Sequence, residues 1–170
     1  MTVRAHLFIL VVGIVAGCNS HERHHPHARE VDSPSSQIDA VIAVHGGAGP
    51  WAVAGYRMGE FAIDQLGLQR GSFDLEVTHY SPHEVQYACI ADGAAAATGA
   101  SLGKLNLTLA AASPAETRTR YRRRSNGRVL ELRLTDSFKS KYLNVPNERL
   151  ASAGREVLGL RDQDIFALVQ

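Results

Sequence analysis

The alternation of apolar and polar residues divides this chain into short, readable segments. Residues 38–46, Ile-Asp-Ala-Val-Ile-Ala-Val-His-Gly, form an apolar run too short for periodicity to separate a strand from a helical turn. After a glycine-rich stretch, Pro50 suits the first position of a helix, because its missing N–H would be unpaired there anyway. Ala54, Met58, Phe61, Ala62 and Leu66 follow at helical spacing, and Gly67 is placed to end that helix. Residues 72–80 alternate, with Phe73, Leu75, Val77 and His79 on one side and Asp74, Glu76 and Thr78 on the other, which predicts a half-buried strand. Ser81-Pro82-His83-Glu84 reads as a capping box that opens an alanine-rich helix running to Gly99. Residues 104–110 alternate again, with Leu105, Leu107 and Leu109 on one face. Two strands flank Ser125-Asn126-Gly127 as a hairpin, and helices around 135–142 and 147–158 precede a closing apolar run. Strands and helices in this order predict one α+β domain over 38–170, with a mixed or antiparallel sheet packed against helices.

The two ends of the pattern differ in kind. Residues 1–17 carry Arg4, an apolar run from Leu7 to Ala16, and small residues just before Cys18. That run is short for a membrane span, so it predicts a secretory signal. The cysteine directly after the small residues resembles a bacterial lipobox, which implies cleavage before Cys18 and lipid (diacylglycerol, palmitate) on that residue. The expected location is the cell envelope, anchored by lipid and facing the periplasm or the exterior. Residues 18–37 hold two prolines, few apolar residues and four histidines, His21, His24, His25 and His27. They read as a disordered tether, either a plain polar spacer or a weak collector of divalent metal.

Charge narrows the partners. The chain carries +1 at neutral pH, and loss of residues 1–17 removes only Arg4, leaving 0. A neutral, exported domain is not a nucleic-acid binder. Arg118, Arg120, Arg122 and Arg124 would share one face of a strand. Two uses are open for them: contact with anionic headgroups, or a solvated edge-strand face paired in part with Glu131. With lipid on Cys18, Cys89 would be the one remaining thiol.

Three constellations carry candidate chemistry. His45-Gly46-Gly47-Ala48-Gly49-Pro50 before a helix can offer backbone N–H groups to an anion, but it lacks the order of a nucleotide loop. Cys89 and Asp92 stand three residues apart on one helix face, extended by Val85 and Ala96, and are expected to point inward. A buried carboxylate needs a partner, and the first turn of the Pro50 helix or the ring of His45 can supply it. His45 and Cys89 are therefore expected to share one small polar pocket.

Both segments resemble one family. Val44-His45-Gly46-Gly47-Ala48-Gly49-Pro50 through Gly55-Tyr56-Arg57-Met58 is similar to the opening block, roughly H-G-H-x-C-P-G-x-x-x-G-x-R-M, of the FmdE family, named for its association with formylmethanofuran dehydrogenase. Cys89-Ile90-Ala91-Asp92 through Thr98-Gly99-Ala100-Ser101-Leu102-Gly103-Lys104-Leu105-Asn106-Leu107 resembles its second block. The resemblance spans about residues 40–143. It implies an α+β core, an intertwined homodimer and a cleft holding His45, Arg57, Cys89, Asp92, Thr98 and Lys104. The alanine run at 94–97 suits the close backbone contact that such a dimer would need. The chain departs from the pattern at Gly47, Gly49 and Ala100, where the family has histidine, cysteine and cysteine, and at Trp51, where glycine is usual. The family's cysteine-rich zinc-binding tail has no counterpart after Cys89.

Three functional readings follow. The first is a binding protein whose cleft, lined by His45, Cys89, Asp92 and Lys104, holds a small ligand or a divalent, zinc-like metal on His45, Cys89 and Asp92. The second is an enzyme with Cys89 as nucleophile, activated by His45 or Lys104 and with Asp92 orienting the base. The third is a degenerate family member kept for structure or interaction.

Overall fold

A computed structural model describes residues 33–169. The expected signal, lipidated Cys18 and histidine-rich segment, residues 1–32, lie outside the described residues. The described chain is α+β: six helices and a five-stranded mixed sheet.

The ambiguous run at 38–46 is a helix. α1 spans Pro34–His45, opened by the Ser33 hydroxyl accepting from the Ser36 N–H and closed by Gly46 at φ +83°. It starts four residues inside the expected tether, because Ser33-Pro34 is itself a start signal. α2, Pro50–Gln65, begins where Pro50 predicted, and Gly67 sits beyond its end at φ +64°.

β1, Leu75–Ser81, buries every second residue from Leu75 to Ser81. Phe73 lies outside the strand and is exposed. The capping box is not formed. Ser81 belongs to β1, its hydroxyl is buried without a partner, and α3, Val85–Thr98, starts from Glu84 without a side-chain cap. The strand's alternation extends to Ser81 and outcompetes the cap.

β2, Leu107–Ala111, pairs parallel with β1, so α3 is the crossover helix of a βαβ unit. The expected strand start at 104 is replaced by a tight turn over Leu102–Lys104, with Leu105 at φ +52° and exposed. Asn106 ends that turn: its side-chain oxygen accepts from the Ser101 N–H at 2.9 Å and its amide donates to the Leu75 carbonyl at 3.1 Å.

β3 (Arg118–Arg123) and β4 (Val129–Leu134) form the predicted hairpin, followed by α4 (Asp136–Tyr142), α5 (Asn147–Leu158), α6 (Asp162–Ile165) and β5 (Phe166–Leu168). The strand order is β2-β1-β3-β4-β5. β3 is therefore the central strand, which corrects the edge-strand reading of its arginines. They stand on the sheet face away from the core, where Arg118 and Arg120 share Glu131, and Arg122 and Arg124 share Glu76.

The core is dominated by the crossing of α2 and α3. A Cβ on Gly93 would lie 1.8 Å from the Ala52 carbonyl oxygen, and one on Gly55 would lie 2.2 Å from that of Ile90. Each helix thus offers a glycine where the other's backbone passes, and Ala94, Ala96 and Ala97 fill the remaining contact. The alanine run, read from sequence as surface for a second copy, is buried within its own chain.

Candidate functional site

α1 ends at His45, α2 begins at Pro50, and the tight α2–α3 crossing sets the first turns of α3 beside both. This geometry brings two residues 47 positions apart into contact. His45 Nδ1 lies 2.8 Å from Asp92 Oδ2, with the two side chains 24% and 46% exposed. A carboxylate only accepts, so the imidazole donates through Nδ1, and in the neutral ring Nε2 then carries the lone pair.

His45 also lines a cleft of about 390 Å³ together with Cys89, so both residues border one space. Loop 47–49, Pro50 and Trp51 form one wall, and Val85 and Gln86 of α3 form the next. The far wall comes from Tyr142, Val145 and the start of α5, including Asn147 and Leu150. Nothing in the sequence pattern tied residues 142–151 to the site. They arrive there because Trp51 Nε1–H donates to the Tyr142 carbonyl at 2.8 Å and its ring packs edge-on against Tyr87 and Phe138. A Cβ on Gly154 would lie 1.8 Å from the Ala48 carbonyl oxygen, so α5 rests directly on the glycine loop.

The loop's glycines differ in role. Gly46 needs its left-handed backbone. Gly47 and Gly49 have ordinary φ, and an added Cβ would meet open space at Gly47 and ordinary contact with Leu150 at Gly49. A Cβ is accommodated at both positions, which are the ones where the family pattern carries histidine and cysteine.

Cys89 is buried on the cleft wall. Its thiol donates to the Gln86 carbonyl at 3.2 Å. Burial, with the nearby Asp92 charge adding to it, pushes the thiol up to about 12. Only the thiolate is nucleophilic. Folded Cys89 is therefore expected to react with iodoacetamide at pH 7.5 at least about a hundredfold more slowly than a free cysteine thiol. Peptide mapping by mass spectrometry reads that rate, and alkylation at the free-thiol rate would show that the thiol is activated.

The three candidate donors do not fit a metal as they stand. Among the described residues no three of His, Cys, Asp and Glu come together as a group able to hold one. Asp92 is turned toward His45 Nδ1, and the Cys89 thiol is turned toward its own helix. In this arrangement His45, Cys89 and Asp92 do not present three ligands to one point.

The other residues named from the family pattern are not at the cleft. Arg57 donates to the carbonyls of Leu158 and Leu160 at 2.8 and 3.1 Å and pairs with Asp162 at 2.6 Å, so it closes the C-terminal end of α5. Thr98 is buried; its hydroxyl donates to the Ala94 carbonyl and accepts from the Ala100 N–H. It lies nine residues beyond Cys89 on the same helix, about 13 Å along the axis. Lys104 donates to the carbonyls of Gly71 and Gly99 at 3.0 and 2.9 Å, with its ammonium over the Phe73 ring. These three residues hold backbone ends in place, which gives each a structural reason for its identity.

A search of curated protein sequences finds no match. The family described as FmdE, Molybdenum formylmethanofuran dehydrogenase operon, matches residues 44–167. That span starts one residue before His45 and takes in both sides of the cleft, from the glycine loop to α5. The chain belongs to the FmdE family.

Proposed function

We propose that this protein is an exported, lipid-anchored FmdE-like protein that holds a small ligand in the cleft between α1, the glycine loop and α5. The observation that carries the reading is that His45, held through Nδ1 by Asp92, lines a cleft to which the described residues bring no other charge. A histidine oriented by a carboxylate, beside mostly apolar walls, is how a ligand site combines affinity with a fixed polar contact. Among the described residues, those that line the cleft include no Lys, Arg, Asp or Glu.

Binding is favoured over covalent catalysis because the Cys89 thiol is held protonated and directed at a carbonyl. It is favoured over metal binding because the three candidate donors do not converge. The anchor rests on the lipobox resemblance around Cys18. A homodimer is implied by the family resemblance, and exposed Leu102, Leu105 and Leu109 near the β2 edge are apolar surface suited to a second copy.

The test is ligand co-purification. Full-length protein is expressed in a bacterium, solubilised and denatured, and the released small molecules are compared by mass spectrometry with those from an Ala151→Trp variant, whose added ring fills the cleft. A compound released by the wild type and missing from the variant is expected. Identical extracts from two folded proteins would remove the cleft as a binding site. Fatty-acid labelling of wild type and Cys18→Ser reads the anchor in the same preparations, and equal labelling of both would exclude Cys18 as the lipidated residue.

A further inference from the structure

The polarity of His45 restricts what the cleft can accept, given that the cleft is the binding site. Asp92 occupies Nδ1, and Nε2 has no partner among the described residues. With the imidazole neutral, Nε2 is a pure acceptor and calls for an N–H or O–H on the ligand. The same short segment supplies the opposite polarity. The N–H groups of Gly47, Ala48 and Gly49 have no partner among the described residues, and all three residues line the cleft. They call for an oxygen acceptor.

Carboxylates and uncharged amides can both satisfy the amides of the loop, and the dyad separates them. A carboxylate would set one oxygen on the amides and the other against the Nε2 lone pair, with the Asp92 charge directly behind the ring. Among the described residues no lysine or arginine lines the cleft to offset that repulsion. An uncharged amide presents a carbonyl oxygen and an N–H instead. In a trans amide these two groups point in opposite directions, so one edge cannot offer both. Primary and cyclic amides both put donor and acceptor side by side on one edge, and a cyclic one adds an apolar ring. The apolar walls, Trp51, Val145 and Leu150 among them, then meet the body of the ring.

We infer that the cleft takes an uncharged amide that offers both groups on one edge, for which a cyclic amide is the probe, with its N–H on His45 Nε2 and its carbonyl on the amides of the 47–49 loop. Trp51 is the single tryptophan of the chain and sits on the cleft wall, so its emission reports occupancy. The experiment titrates full-length protein at pH 7.5 with ε-caprolactam, N-methylcaprolactam and cyclohexanecarboxylate, all transparent where tryptophan is excited. Caprolactam is expected to bind roughly tenfold more tightly than either of the others, the worth of one neutral hydrogen bond. In folded His45→Phe the preference for caprolactam over N-methylcaprolactam should fall to about unity while the Trp51 response persists, because the Nε2 acceptor is gone, together with the Nδ1 donor to Asp92. Equal affinity for all three probes in the wild type would overturn the inference and leave the cleft as an unselective apolar site. Tightest binding of the carboxylate would overturn it in favour of an anion site. No Trp51 response to any probe would overturn it together with the proposed cleft.

Discussion

Gly93→Ala should cost about 3 kcal/mol of stability or more, at or above the upper range for overpacking a core. The added methyl would lie 1.8 Å from the Ala52 carbonyl oxygen and 2.7 Å from the Tyr56 nitrogen. Both obstacles are backbone, so no rotamer change relieves them, and α2 and α3 must separate along their whole crossing. For a domain of this size the loss corresponds to a fall of roughly 10 °C in Tm. Thermal unfolding followed by circular dichroism checks it. A variant melting within about 2 °C of wild type, well under 1 kcal/mol on that scale, would mean that the two helices do not cross this closely. The consequence reaches the site, since α2 carries the wall residue Trp51 and α3 carries Cys89 and Asp92.

Acid should destabilise the protein through His79, by about 3 kcal/mol between pH 7 and pH 4. His79 is fully buried on the core face of β1. Its Nε2–H donates to the Tyr87 carbonyl at 3.1 Å, and its Nδ1 accepts from the Thr119 hydroxyl at 2.8 Å, a pattern that suits the neutral ring. Burial lowers its pKa from 6.5 to about 4. Above pH 6.5 neither the folded nor the unfolded chain protonates this ring, and its full contribution is present. Between pH 6.5 and 4 the unfolded chain takes up a proton that the folded one refuses, so stability falls as pH falls. Urea unfolding at a series of pH values measures the slope. His79→Gln removes the titration, and most of the slope between pH 6.5 and 4.5 should go with it. An unchanged slope in a folded variant would place the acid sensitivity elsewhere.

The two histidines show how differently the same side chain was legible. His79 falls on the apolar side of an alternating run, and that alone marks it as a core residue of a strand. Its two hydrogen-bond partners, one on β3 and one on α3, are set by register and packing. His45 ends an apolar run whose local pattern suits a strand as well as a helix. Its tie to Asp92 spans 47 residues, and the motif blocks point to it without setting its geometry.

Local rules failed where two of them competed for the same residues. Ser81 belongs both to a capping signal and to an alternating strand, and the strand took it because its face is buried against the helices. The Leu105-Leu107-Leu109 alternation includes one residue that the Asn106-anchored turn throws out into solvent. The arginine stripe was visible as a face, but its place on the central strand depends on β3 pairing with β1, a contact between segments some 40 residues apart.

By itself the sequence determined the α+β class and the limits of α2, the hairpin and α5, because periodicity, glycine and proline act over a few residues; the pairing of the glycine-loop block with the Cys89–Asp92 helix came from the family resemblance and from a carboxylate's need for a partner. Tertiary structure alone decided which of the paired residues reach the cleft. The α2–α3 crossing carries His45, Cys89 and Asp92 to one end of the domain. The same helices carry Arg57 to the end of α5, and Thr98 and Lys104 to the far end of α3, where they hold backbone carbonyls or cap a turn. Residues this far apart in the chain are placed by the angle and distance at which helices pack, and those depend on side chains and glycines that no local pattern connects.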